Sequence, residues 1–324
     1  MLLRIFKTSQ PLSWILILSL LIIGRAVLFS LFFDLSYLPE NVSISGDITH
    51  YLALNQPWIS HILGTLILIP SGFIFNKIAQ DIPFFKGIHY LLFFFFALFS
   101  VYSPANLVLT PFLLSIPILL LALAMTLSQS KGKISLATIF NASFLIGIGT
   151  LLYFPNIILF GMLLISLFYL SKITWRSFFV VFIGLFTSFL FHDALAFSFH
   201  HPSYYLSQSI HLYLTPFTTE YFTPLISSVA FITLSFIQLP LFYSTSAKSI
   251  IKIRKSLFLI LFTFILGLVF ALFIQSSSGQ WVNIIFLPIS IVFSLFHMEV
   301  KKWWLGDLAF LGLLTCIVMN YLPI

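Results

Sequence analysis

The sequence predicts an all-α protein: a polytopic membrane helical bundle of about eleven transmembrane helices, forming one integral membrane domain over residues 1–324. Three observations carry this expectation. The chain is 60% hydrophobic and only 7% charged, with a mean hydropathy of +1.12; a soluble domain carries about 25% charged residues. Apolar stretches close to the ~20 residues that cross a hydrocarbon core follow one another almost end to end. The Lys and Arg residues then fall on one side of the resulting arrangement, as membrane topology demands.

The N-terminus, "MLLRIFKTSQPLSWILILSLLIIG", opens on a basic segment. Its apolar run is too long for a cleaved signal, and no A-x-A site follows, so it is expected as a retained signal anchor. The expected spans are 13–33, 59–79, 87–102, 107–127, 135–152, 156–171, 177–194, 222–244, 256–274, 281–298 and 303–321. The fifth and sixth are short, which suits tilted or re-entrant helices. No internal repeat, low-complexity run or soluble insertion interrupts the series. Phenylalanine is abundant, at 41 residues, and there is one cysteine, Cys316, so neither a disulfide framework nor a CxxC metal site is expected.

With a cytoplasmic N-terminus, Arg4, Lys7, Lys77, Lys86, Lys131, Lys133, Lys172, Arg176, Lys248, Lys252, Arg254, Lys255, Lys301 and Lys302 all lie at the cytoplasmic side. That accounts for all but one of the 15 basic residues, and it predicts an extracytoplasmic C-terminus. The net charge of +7 therefore reflects membrane orientation, and nucleic acid is not expected as a partner. Asp34, Glu40, Asp47, Asp193 and Glu220 fall on the outer side. Two outer connections are long, about 34–58 and 193–221; "SPAN", "YFPN" and "QSSSGQ" read as tight turns. Function concentrates in long loops on a rigid scaffold.

The first of these loops contains "SISGDITHYLALN". From Asp47 onward it reads as a short interfacial helix, with Asp47, His50, Tyr51 and Asn55 at i, i+3, i+4 and i+8 and so roughly on one face. Asp47 beside His50 or Tyr51, at a surface of reduced dielectric, suits a general base. It also stands in an N-cap position, where a carboxylate accepts backbone N–H bonds, and Tyr51 suits an interfacial aromatic belt. The two readings are compatible. Arg25 is the one cation inside a span, at a cost on the order of 3 kcal/mol. It either pairs with another helix or meets a phosphate or substrate; Asp34 is out of phase with it on the same helix.

The second long loop, "FHDALAFSFHHPSYYLSQSIHLYLTPFTTEYF", carries His192, Asp193, His200, His201, His211 and Glu220 among aromatic residues. These suit contacts to a phosphate or sugar, or an ordinary interface. No HxxxH spacing exists, so no cofactor is expected; a divalent cation finds no support in the ligand spacing. The basic "KSIIKIRK" at 248–255 is explained by topology, or by contact with anionic membrane lipids.

The N-terminal half, residues 13–172, resembles the polytopic C-fold glycosyltransferases that use polyprenyl-phosphate sugars. The likeness rests on "GRAVLFSLFFD" followed by "SGDITHYLALN", and on the hairpin "NASFLIGIGTLLYFPNIILFGMLLISLFYL". It implies a catalytic Asp47, with Arg25, Tyr51, His50, His192, His200 and His201 around a polyprenyl-phosphate-linked substrate at the extracytoplasmic face. Residues 173–324 would supply the remaining helices and the outer loop 193–221. The whole chain also resembles an uncharacterised family of bacterial inner-membrane proteins, which implies the cytoplasmic membrane of a bacterium. Two departures matter: no second acid adjoins Asp47, and no large C-terminal domain follows the last span. They keep open a second expectation, a non-enzymatic subunit of a cell-envelope assembly. A transporter ranks behind both, since internal repeats and further midplane charges are lacking.

The orientation is checked with reporter fusions. Alkaline phosphatase is expected to be active after residue 324 and inactive at residue 132; the reverse pattern overturns the topology.

Overall fold

An apolar stretch in hydrocarbon has no water to satisfy its backbone polar groups, and only the helix satisfies them within one segment. The structure, a computed structural model, describes residues 6–7, 10–33, 44–81, 89–128, 135–170, 174–198, 222–271, 282–300 and 302–321. Among these, every regular element is helical. Six helices are long and apolar enough to cross a membrane: Leu12–Phe32, Pro57–Gln80, Pro111–Ser128, Trp175–Ala194, Ile253–Phe270 and Val282–Glu299. Shorter apolar helices occupy Leu91–Ser100, Leu136–Leu152, Phe154–Tyr169, Val229–Ser244 and Trp304–Met319. A helix thus stands in each of the eleven expected stretches, and the chain is a membrane protein by the length and composition of these helices.

The elements are α1 (Pro11–Ser19), a π-helical turn (Leu20–Gly24), α2 (Arg25–Phe32), α3 (Ile44–Asn55), α4 (Pro57–Asp81), α5 (Leu91–Ser100), α6 (Pro111–Ser128), α7 (Leu136–Leu152), α8 (Ile158–Leu170), α9 (Trp175–Ser198), α10 (Phe222–Lys248), α11 (Ile251–Ala271), α12 (Val282–Glu299) and α13 (Trp303–Met319). Short 3-10 turns at Pro104–Leu107 and Phe154–Ile157 follow α5 and α7. Helix α3 begins at Ile44, ahead of the Asp47 start expected from "SGD". Residues 44–46 are already helical, so Asp47 lies within the helix and not at its N-cap. A carboxylate near a helix N-terminus is still favoured by the helix dipole.

The centre of the bundle is α5, buried along its whole length, and α12, buried from Val282 to His297 except Ile284. Helices α4 and α12 pack against α5, and α10 and α11 close around α12. Aromatic rings fill the seam. Phe99 meets Phe293 edge-on at 5.2 Å and Phe231 at 5.7 Å, while Phe286 meets Phe96 at 4.9 Å and Phe112 at 5.4 Å. Edge-to-face geometry brings each ring's positive edge to a neighbour's negative face. Buried hydroxyls bond back within their own helices, as with Thr126 Oγ1 to Ala122 O at 2.8 Å and Ser290 Oγ to Phe286 O at 2.7 Å. That spares them an unpaired state in the apolar interior.

The N-terminal segment is tied across the start of α5. Phe6 stacks on Phe94 at 4.3 Å, the Phe6 carbonyl accepts from Tyr90 N at 3.2 Å, and His89 Nδ1 lies 2.8 Å from the Lys7 carbonyl. Burial holds the Lys7 ammonium below its ordinary pKa, and the charge of Asp307 partly opposes this.

The closest helix pair is α7 with α9. Gly147 of α7 faces Ser188 of α9, and Gly184 of α9 faces Ser143 of α7. Small residues on both partners let the backbones approach, the usual source of helix attachment in membranes. A methyl group on Gly184 would lie 2.8 Å from the Phe140 carbonyl oxygen besides meeting Ser143. Gly184→Ala is expected to cost about 1–3 kcal/mol of overpacking, read as lowered thermal stability in detergent. Adding Ser143→Ala recovers only part of it, since the carbonyl remains; full recovery would place the strain in the serine alone.

Candidate functional site

Between α5 and α6 the chain leaves the helix while still inside the protein. Residues 102–110 are all buried, although "SPAN" within them reads as a surface turn. Non-helical backbone at such depth survives only if other groups satisfy its N–H and C=O groups. Side chains from α2 and α4, and from the turn after α13, do this.

Arg25 contributes most. The π turn Leu20–Gly24 immediately precedes it, and the extra residue of a π turn resets helical phase by about 100°. The side chain is 0% exposed. Its Nε donates to Thr65 Oγ1 at 3.2 Å, Nη1 to the Ser100 carbonyl at 3.4 Å, and Nη2 to the carbonyls of Asn106 at 2.7 Å and Leu107 at 3.2 Å. A planar guanidinium with several fixed donors suits such divergent acceptors; an ammonium does not. Thr65 is itself oriented by donating to His61 O at 3.0 Å.

The neighbouring groups follow the same pattern. His61 Nδ1 lies 2.7 Å from the Leu107 carbonyl, and its ring stacks on Phe29 at 4.6 Å between centroids. Ser60 Oγ accepts from Leu109 N at 3.0 Å. Asn106 and Asn283 pair through their amides, with Asn106 Nδ2 donating to Asn283 Oδ1 at 2.7 Å and Asn283 Nδ2 to Asn106 Oδ1 at 3.3 Å. Tyr321 Oη donates to Val101 O at 2.6 Å, and Asn320 Nδ2 to Tyr102 O at 3.2 Å, while Ser227 Oγ donates to Asn320 Oδ1 at 2.6 Å. Asn156 Nδ2 reaches Ser115 Oγ and Gly149 O, each at 2.9 Å. Beside this amide is a cavity of about 20 Å³, also lined by Asn283 and Pro288, which has room for one water.

Helix α3 adjoins this polar end. It runs into α4 through Gln56, whose N–H reaches Leu52 O at 2.9 Å, and it packs on α4 and α6. Thr49 and Ala53 are buried at i and i+4, His50 is half-buried, and Tyr51 is 67% exposed. Position 47 is one turn before Tyr51, on the side away from Thr49 and Ala53. The Asp47 side chain is outside the described residues. Asn55, on the same helix, donates to the Tyr51 carbonyl at 2.9 Å.

His192 is half-buried near the C-terminal end of α9, with Nδ1 4.0 Å from the exposed Asp193 carboxylate. His200 and His201 lie outside the described residues, as do Asp34, Glu40, His211 and Glu220. Arg25 bonds to α4, to the end of α5 and to the turn after it; none of its described hydrogen bonds runs to α3 or α9. α9 packs chiefly on α7 and α3 chiefly on α4, so the described candidates divide between two flanks. Among the described residues, no three His, Cys, Asp or Glu side chains group to hold a metal. Sequence reasoning passed over His61, Thr65, Asn106, Asn283 and Asn320. The available signal was a polar residue repeated within apolar spans, as in His61-xxx-Thr65.

Arg25→Met leaves the Ser100 and Asn106 carbonyls without this donor, while the Leu107 carbonyl keeps His61. At about 1–3 kcal/mol per unpaired group, a loss of at least ~2 kcal/mol is expected in detergent unfolding, with Arg25→Lys recovering less than half. Asn283→Leu orphans the Asn106 amide, so the double variant with Asn106→Leu is expected to lose less than the sum of the singles. Additive losses would mean the two amides are uncoupled.

No curated protein and no solved structure matches this sequence. A family profile does match, over residues 55–323, so it takes in α4 to α13 and begins just after the candidate positions of α3. The chain belongs to that family, described as a family of unknown function (DUF6427).

Proposed function

We propose that this protein is a glycosyltransferase of the bacterial cytoplasmic membrane, with eleven spans, a cytoplasmic N-terminus and an extracytoplasmic C-terminus. It moves a sugar from a polyprenyl-phosphate carrier to an acceptor at the extracytoplasmic face. The observation that carries this reading is helix α3: its packed side holds Thr49 and Ala53, and its other side carries Tyr51 in register with Asp47. In the reaction, Asp47 orients the acceptor hydroxyl and takes its proton as the oxygen bonds to the anomeric carbon. The bond from that carbon to the phosphate oxygen breaks, and polyprenyl phosphate leaves with the electron pair. His50, Tyr51, His192, His200 and His201 are the phosphate and sugar contacts, since imidazole N–H and phenol O–H groups donate to phosphate and sugar oxygens. Arg25, occupied by the chain's own carbonyls, serves as a positioning residue for the backbone beneath α3.

A second reading, a non-enzymatic subunit of an envelope assembly, is favoured by α9. This helix exposes Trp175, Phe179, Phe182, Phe186 and Leu190 along one side, a surface that fits lipid or a helix of another subunit. The test uses the purified protein in proteoliposomes with a polyprenyl-phosphate sugar. Transfer that falls at least about 100-fold in Asp47→Asn, with unchanged thermal stability, is expected for a catalytic base. No binding of polyprenyl phosphate, together with co-purification of partner subunits that ignores Asp47→Asn, sinks the transferase and supports the subunit.

A further inference from the structure

The acids of this chain are unevenly placed. Neither residues 82–192 nor residues 221–298 contain a single Asp or Glu. These stretches supply α8, the start of α9 and all of α11, and α8 packs along α11 while α9 begins five residues after α8 ends. Three cations therefore lie at one end of the bundle: Arg176 on α9, and Arg254 and Lys255 on α11. Arg176 and Arg254 are exposed. Lys255 is half-buried, with its ammonium 5.6 Å from the centroid of the Tyr169 ring. That ring in turn lies 4.9 Å from Phe258. A cation over an aromatic face is held in place while keeping its charge available. Glu299 ends α12, which packs on α11, and among the described residues it forms no ion pair with these three. Trp175, 78% exposed, stands beside Arg176 as a headgroup-level anchor.

From this placement we propose that the α8–α9–α11 end binds an anionic phospholipid, whose phosphate is received by Lys255, Arg254 and Arg176 and whose acyl chains run along Phe258 and Phe179. Phe258 and Phe179 are themselves exposed, one turn or less below the cations. A glycerophospholipid satisfies both features at once, an acidic head and an apolar tail, where a free anion satisfies only the first. The site is at the opposite end of the bundle from α3, because each lies at the other terminus of an apolar helix, and the inference does not rest on sugar transfer.

The test is native mass spectrometry of the delipidated, full-length protein in neutral detergent, titrated with phosphatidylglycerol or phosphatidylcholine. Phosphatidylglycerol is expected to be retained at least about tenfold better, and each of Arg176→Gln, Arg254→Gln and Lys255→Gln to weaken its retention about fivefold. Lys77→Gln, on α4, leaves retention unchanged. Arg176→Gln, Arg254→Gln and Lys77→Gln melt with the wild type, because exposed charge changes cost little stability. Equal retention of the two lipids overturns the proposal. So does retention that survives the triple variant, or displacement of the lipid by equimolar inorganic phosphate, which would indicate a small-anion site.

Discussion

Much of this structure depends on one interaction, the Arg25 guanidinium held against backbone carbonyls of residues 100–107. Apolar solvent forbids unpaired peptide groups, yet the central helix α5 stops after ten residues. The chain continues without α-helical bonding, through one 3-10 turn, in a fully enclosed stretch. Arg25 resolves two problems together: a charge that is costly in hydrocarbon and carbonyls that have lost their helical donors. Neither half is stable alone. Among the described residues no carboxylate faces the guanidinium, so its charge is spread over carbonyl dipoles and the Thr65 hydroxyl.

Other side chains complete the same task from different directions. Tyr321 and Asn320 reach in from the turn after α13, Ser60 and His61 from α4, and Asn283, on α12, holds the Asn106 side chain. Helices distant in sequence are thereby registered in depth against one irregular segment. Their polar residues gather at one end, while α5 and α12 meet through aromatic rings further along. The platform beneath α3 is consequently rigid, which is what a site built from side chains on a short surface helix requires.

The positions of the helices were legible because an apolar stretch of suitable length has few alternatives in a membrane. A helix over Asp47–Asn55 was also legible from the i, i+3, i+4 spacing, though the helical state of Ser45 and Gly46 was not: they look like a break and are overridden. Arg25 stood out as a lone intramembrane cation, but its partners did not. They are main-chain oxygens, and side-chain identity says nothing about where a carbonyl points. The enclosure of "SPAN" was hidden for a related reason. Pro104 and Ser103 signal a turn equally well at a surface or in an interior, and only the distant Arg25, Asn283 and Asn320 decide which.

The paired contacts of α7 and α9 have a further consequence. Ser143-xxx-Gly147 lies alongside Gly184-xxx-Ser188, so each helix offers the complement of the other at two successive levels. The two strands of this code run in the same direction, since 143 meets 184 and 147 meets 188. Sliding α9 by one turn one way would set Ser188 against Ser143 and bring His192 to the narrow level of Gly147. Sliding it the other way would set glycine on glycine and drive Val180 against Ser143. Four small residues thus act as a vernier that admits a single vertical setting, and they fix the height at which α9 delivers its far end to the surface.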